Sequence, residues 1–275
     1  MTNWESGFVS PRGFRQHYTR TGGARPALVL AHGFSDDGLC WSSLAAALEA
    51  EWDVVMFDAR GHGRSELPED GSDTGPIAQA DDLAAAINAL GLEQPCVVGH
   101  SMGAMTALML AARYPDLPRA VALEDPPPWW NAPLSTLAYD ESWKANVRAW
   151  LTGAKTAPRE DVLAKVRAES PNWPEVDLGP WADSKVRFNL GFLDRPRPVD
   201  VDWATTLGQV RAPTLLITSD QDKGGIVGPA DAARLLSLLP HAVVKRIANA
   251  GHSIHRDQSS AFLAAITGFF GPSGR

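Results

Sequence analysis

A chain of 275 residues, 44% of them hydrophobic and 21% charged, has room for one large core or two small ones. Its formal charge of −7, with the basic residues scattered, argues against nucleic acid or an anionic membrane as partner. No apolar run approaches the ~20 residues that span a bilayer. The first residues, MTNWESGFVSPRG, lack the basic start and apolar stretch of a secretory signal. The two cysteines, Cys40 and Cys96, form neither a disulfide framework nor a zinc spacing. These features lead to the expectation of a cytoplasmic enzyme or binding protein.

In chain order, the first clear element is the continuous apolar run Ala27–Ala31, which ends in His32-Gly33. A helical stretch rich in Ala and Leu follows from Trp41 to Ala50, then a second run, Asp53–Phe57, ending in Asp58. The spacing predicts a helix over 77–90 before Gly91, a third run at Pro95–Val98, a helix over 102–114 stopped by Pro115, and a fourth run at Arg119–Leu123. Unalternating runs of this length suit strands buried on both faces. Strand alternating with helix predicts a mostly parallel sheet flanked by helices, the α/β class.

The pattern breaks at Pro126-Pro127-Pro128. Helical pieces over 142–151 and 159–169 then alternate with Pro-rich turns as far as Trp203. Strand–helix alternation returns with strands at 212–218 and 242–247 and helices over 229–239 and 259–270. The division expected is a core of 1–125 and 205–275, with a helical cap or lid of 126–204 inserted after the sixth strand.

The chemistry centres on Gly99-His100-Ser101-Met102-Gly103. G-x-S-x-G between a strand and a helix presents the serine on a tight, strained turn at the carboxyl end of the sheet, so Ser101 is the candidate nucleophile. A serine hydroxyl needs a base and an acid that orients the base. Gly251-His252, after the last strand, supplies the candidate base His252, with His255 as a rival three residues on. The backbone N–H groups of Met102 and of Phe34, in the loop His32-Gly33-Phe34, are the candidate oxyanion donors.

With these residues in place, the chain resembles the α/β-hydrolase fold family over essentially its whole length. His32-Gly33-Phe34, the Asp58–Ser65 segment, Gly99–Gly103 and Gly251-His252 stand in the order and spacing of that family. The resemblance implies a structural role for Asp58–Ser65 and leaves two positions for the triad acid. Asp222 stands in the usual place after the strand that follows the lid, although Lys223 lies beside it. Glu124 stands at the end of the strand before the lid, where haloalkane dehalogenases and zearalenone-type lactonases place their acid, and it is slightly preferred. Asp125 is its neighbour, and either residue has the alternative role of capping the next turn.

Seven of the ten tryptophans fall between Pro126 and Trp203. Packing of a small lid accounts for most of them, while Trp129, Trp130 and Trp41 are candidate walls of an apolar pocket. The function expected is a serine hydrolase that cleaves a carboxylic ester or lactone of a hydrophobic small molecule. No metal or organic cofactor is implied, and a homodimer is left open. Ser101 at the nucleophile position argues against the dehalogenase and epoxide hydrolase chemistry of relatives that use Asp there. The alternatives are C–C bond hydrolysis or a lyase reaction on the same triad, and a ligand-binding receptor that retains the triad.

Overall fold

A computed structural model describes residues 4–131, 140–198 and 201–271. The parts of the expected core and lid at 1–3, 132–139, 199–200 and 272–275 lie outside the described residues. Eight strands form one sheet: β1 (Glu5–Val9), β2 (Gln16–Arg20), β3 (Ala27–Ala31), β4 (Asp53–Phe57), β5 (Cys96–His100), β6 (Ala120–Glu124), β7 (Thr214–Thr218) and β8 (Val243–Arg246). Their order is β1-β2-β4-β3-β5-β6-β7-β8. β1 pairs antiparallel with β2 and β2 with β4, and every later pairing is parallel. The first two strands carry the short polar sequences ESGFV and QHYTR, without the continuous apolar run that betrays a buried parallel strand.

Helices α1 (Ser42–Leu48), α2 (Pro76–Ala89) and α3 (Met102–Arg113) alternate with the strands up to β6. Between β6 and β7 lie α4 (Glu141–Thr156), α5 (Arg159–Glu169), α6 (Glu175–Arg187) and the short α7 (Trp203–Leu207). The chain closes with α8 (Pro229–Leu238), the single turn α9 (Ile254–Asp257) and α10 (Ser259–Phe270). α6 was not legible in the sequence because Gly179 and Pro180 lie inside it.

The period-two geometry of the strands sorts side chains onto the two faces of the sheet. On one face Val97, Val121 and Leu123 pack with Leu83 of α2 and Leu108 of α3. On the other, Val98, Ala120 and Ala122 pack with Trp41, with Leu44 of α1 and with Phe262 of α10. Cys96 and Cys40 are both buried, Cys40 in a 3-10 turn (Gly38–Trp41) directly after the loop that follows β3. The register sets His100 of β5 opposite Glu124 of β6, so both strands end level. The residues that come next, Ser101 and Asp125, therefore emerge side by side at the carboxyl edge, where α/β sheets place their ligands.

Candidate active site

Ser101 occupies a strained turn, with φ +51° and ψ −113°. Its N–H donates to the carbonyl of Glu124 (2.8 Å), which fixes the turn against the neighbouring strand. A Cβ on Gly99 would come within 2.2 Å of the Gly103 carbonyl oxygen, and one on Gly103 within 2.1 Å of the Ala31 carbonyl oxygen. Side chains at these two positions are incompatible with the elbow, which is why the motif needs glycine on either side of the serine.

His252 lies in the loop between β8 and α9. Its Nδ1 stands 2.7 Å from Oδ2 of Asp125, and His100 Nε2 bonds its backbone carbonyl at 3.0 Å. Asp125 is fully buried and has a left-handed backbone, φ +42°. Its carboxylate also accepts the N–H groups of Ile226 (2.8 Å) and Val227 (2.9 Å). The loop 223–228 thus fastens the Asp125 carboxylate, and the carboxylate holds the imidazole.

This corrects the two acids read from the sequence. Glu124 is the last residue of β6, and its parity sends its side chain to the face of Ala120 and Ala122. There it accepts the backbone N–H of His255 (2.8 Å) and meets His255 Nδ1 at 2.8 Å with both carboxyl oxygens. Burial pushes the Glu124 carboxyl up to about 7 and holds the His255 imidazole well below its usual range. Asp222 is exposed on the 3-10 turn Gln221–Lys223 and is not the partner of His252. Asp125 was weighed in the sequence as a neighbour of Glu124 and as a turn cap, not as the acid. The signal that could have found it is the strand terminus itself, since a residue just past the last paired position is freed from the face its predecessor obeys.

Ser101 and His252 line one cavity of ≈ 550 Å³ together with Phe34. Gly33 to Asp36 form a turn closed by Asp36 N–H to Gly33 C=O (3.1 Å), with Ser35 at φ +64°. Met102 opens α3, so its N–H lacks a carbonyl within the helix. Phe34 and Met102 thus stand where the sequence reading put its oxyanion donors, on the loop after β3 and on the residue after the serine.

The aromatic candidates divide. Trp129 lines the cavity. Trp130 does not, since it is buried and its indole N–H donates to the carbonyl of Asp231 (2.8 Å). Trp41 is core, with its ring 4.3 Å from that of His255 and packed against Phe262. Both are corrected as pocket walls. Trp143, Trp150 and Trp181, which the sequence reading did not single out from the lid tryptophans, also line the cavity.

The same cavity carries two charged residues that the sequence did not single out. Lys185 of α6 is buried, and its Nζ donates to Ser35 O (3.1 Å), Ser35 Oγ (3.2 Å) and Asp36 Oδ1 (2.5 Å). Arg256 donates to the other oxygen of Asp36 (2.8 Å). Burial alone would push the Asp36 carboxyl up, but the two cations outweigh it and hold it well below the usual carboxylate range. Among the described residues, no group of three or more His, Cys, Asp or Glu is arranged to hold a metal ion, and no helix is long and apolar enough to cross a membrane.

The sequence profile of the alpha/beta hydrolase fold matches residues 26–258. The chain belongs to this family. Among similar alpha/beta hydrolases, N-formylmaleamate deformylase of Pseudomonas putida KT2440 is 35% identical over 271 residues, covering 96% of this chain and 95% of that protein. 2-(Acetamidomethylene)succinate hydrolase of Mesorhizobium japonicum is 29% identical over 264 residues, covering 91% and 90%. The crystal structure of an N-formylmaleamic acid deformylase from Pseudomonas putida S16 superimposes with a TM-score of 0.78 at 25% identity, over 96% of this chain and 100% of that one. These relatives within the alpha/beta hydrolase family are hydrolases.

Proposed function

We propose that the protein is a serine hydrolase that cleaves the acyl bond of a small amide through an acyl-enzyme. The observation that carries this reading is the 2.7 Å contact of His252 Nδ1 with buried Asp125, beside the strained turn that presents Ser101 to the same cavity. In the mechanism, His252 takes the Ser101 proton as the hydroxyl attacks the acyl carbon. Asp125 keeps the proton of the neutral imidazole on Nδ1 and stabilises the imidazolium that forms. The N–H groups of Phe34 and Met102 receive the oxyanion. His252 then protonates the leaving nitrogen, and water, deprotonated by the same imidazole, releases the acid and restores Ser101. Residues 126–204 act as a cap that supplies most of the aromatic wall.

The amide is preferred because the two relatives described above act, by name, on N-acyl compounds, a formyl and an acetamido group. An ester or lactone of an apolar small molecule is the second reading, favoured by the indoles of Trp129, Trp143, Trp150 and Trp181 on the cavity wall. Both use the same steps. The test is a panel of N-formyl and N-acetyl amides beside p-nitrophenyl esters of graded length, run with wild type and Ser101→Ala. Turnover is expected to fall at least about 10³-fold in the variant with folding unchanged. A purified Ser101→Ala protein as active as wild type would remove the nucleophile and the proposal with it.

A further inference from the structure

We infer that Arg256, backed by Lys185, forms an anion subsite in this cavity, and that it takes a carboxylate carried by the substrate a few bonds from the acyl group to be cleaved. This deepens the hydrolase reading and rests on it for the identity of the bond broken.

The first observation is a charge imbalance on the cavity wall. Lys185 and Arg256 line it, 1% and 2% exposed, and among the described residues the one carboxylate on the same wall is Asp36. Two buried cations therefore share a single carboxylate on the cavity wall. Asp177 on α6 is a second carboxylate near Arg256 but does not line the cavity; burial pushes its carboxyl up, while Ser43 and Arg256 itself pull it down. A buried cation without a full partner is costly, and an anionic ligand removes that cost.

The second observation separates the two cations. Lys185 has committed its three N–H donors to Ser35 and Asp36. Arg256 gives one N–H of its fork to Asp36, and its Nε is buried with no hydrogen-bond partner. An orphan donor on a buried guanidinium is rare in a folded protein and points to a ligand atom. Trp173 lies over the guanidinium at 4.7 Å and fixes its plane. A planar, fixed fork suits a carboxylate better than a point acceptor.

The third observation is position. Arg256 lies on the single turn α9, four residues after His252, and is bonded to Asp36, which lies two residues beyond Phe34. The subsite therefore sits between the loop that carries the base and the turn that carries an oxyanion donor. A substrate with its acyl carbon at Ser101 and a carboxylate a few bonds away fits this arrangement.

Two esters of one shape test the subsite: the mono-p-nitrophenyl ester of glutaric acid and its neutral primary-amide counterpart, each corrected for spontaneous hydrolysis. Wild type is expected to favour the acid in kcat/KM by about tenfold or more, the scale of a hydrogen bond to a charged group. Arg256→Gln should bring that ratio near one, and Arg256→Lys should restore part of it. Calorimetric titration with glutarate, which needs no turnover, should show binding to wild type and none to folded Arg256→Gln. A wild-type ratio at or below one, or an unchanged ratio in folded Arg256→Gln, overturns the subsite. If neither ester turns over but glutarate binds through Arg256, the hydrolase reading fails and the subsite stands. If both esters turn over equally and glutarate does not bind, the reverse holds. Should Arg256→Gln not fold, the wild-type ratio and titration decide alone.

Discussion

Asp125 stands one residue beyond a strand, and that step separates it from Glu124 in both direction and role. Glu124 obeys the alternation of β6 and turns to the packed face under Trp41, whereas Asp125 takes a left-handed backbone and meets His252 at 2.7 Å. Removing the Asp125 charge leaves the imidazole without its orienting partner. Asp125→Asn is therefore expected to lower kcat by about 10³- to 10⁴-fold, while Asp222→Asn stays close to wild type. Steady-state rates of the two variants, each checked by thermal melt, decide it, and a dead Asp222→Asn beside an active Asp125→Asn refutes the pairing.

Glu124 has a different consequence. Its carboxyl is pushed up to about 7 by burial, from an ordinary value of 4.5. The folded protein then holds this proton more tightly than the unfolded chain. The stability linked to it is complete below pH 4.5 and is lost as pH rises to about 7. Glu124→Gln keeps an acceptor for the His255 N–H but has no proton to lose. The Tm of wild type minus that of Glu124→Gln should therefore decrease between pH 5 and pH 8. A difference that is flat or grows over that range contradicts the direction.

At the scale of elements, the turn after β3 is held from two sides. Ser35 has a left-handed backbone that costs a non-glycine residue on the order of 1 kcal/mol or more and persists only when its surroundings impose it. Lys185 of α6 imposes it by binding both the carbonyl and the hydroxyl of Ser35, and Arg187 at the end of α6 bonds Asp37 (2.6 Å). The cap thus sets the turn that carries the Phe34 N–H. Lys185→Met is expected to lower kcat on a small neutral substrate by about tenfold while KM changes less, since a loosened oxyanion donor weakens transition-state binding first. Lys185→Arg should recover part of the rate. An equal effect on kcat and KM, or none on either, would mean that the contact only docks the helix.

Across the whole molecule, what the sequence disclosed follows from periodicity and spacing. The buried strands β3 to β7 announced themselves as apolar runs, and the glycines around Ser101 located the elbow, because both are local demands on the chain. Phe34, Met102 and His252 were proposed from their order relative to strands. The antiparallel strands β1 and β2 were hidden by polar composition, and α6 by Pro180. Lys185, Arg256 and the choice of Asp125 over Glu124 depend on which face a side chain takes after the chain has folded back over more than a hundred residues. Three-dimensional closure, not residue type, distinguishes Trp181 at the cavity from Trp41 in the core.

Cys40 gives this architecture a built-in clock. It sits three residues beyond Asp37, 2% exposed, and burial pushes its thiol up to about 12. A thiol in that state ignores alkylating reagents until the segment around it opens. Its labelling rate is then a stopwatch for the loosening of the turn after β3, read without a dye or a tag. Among the described residues the other thiol, Cys96, lies in the middle of the sheet and should respond only to global unfolding. Mass spectrometry of timed alkylation should therefore show Cys40 modified before Cys96 in the native protein and far sooner in Lys185→Met. Equal rates at the two cysteines would mean that the turn never opens apart from the rest.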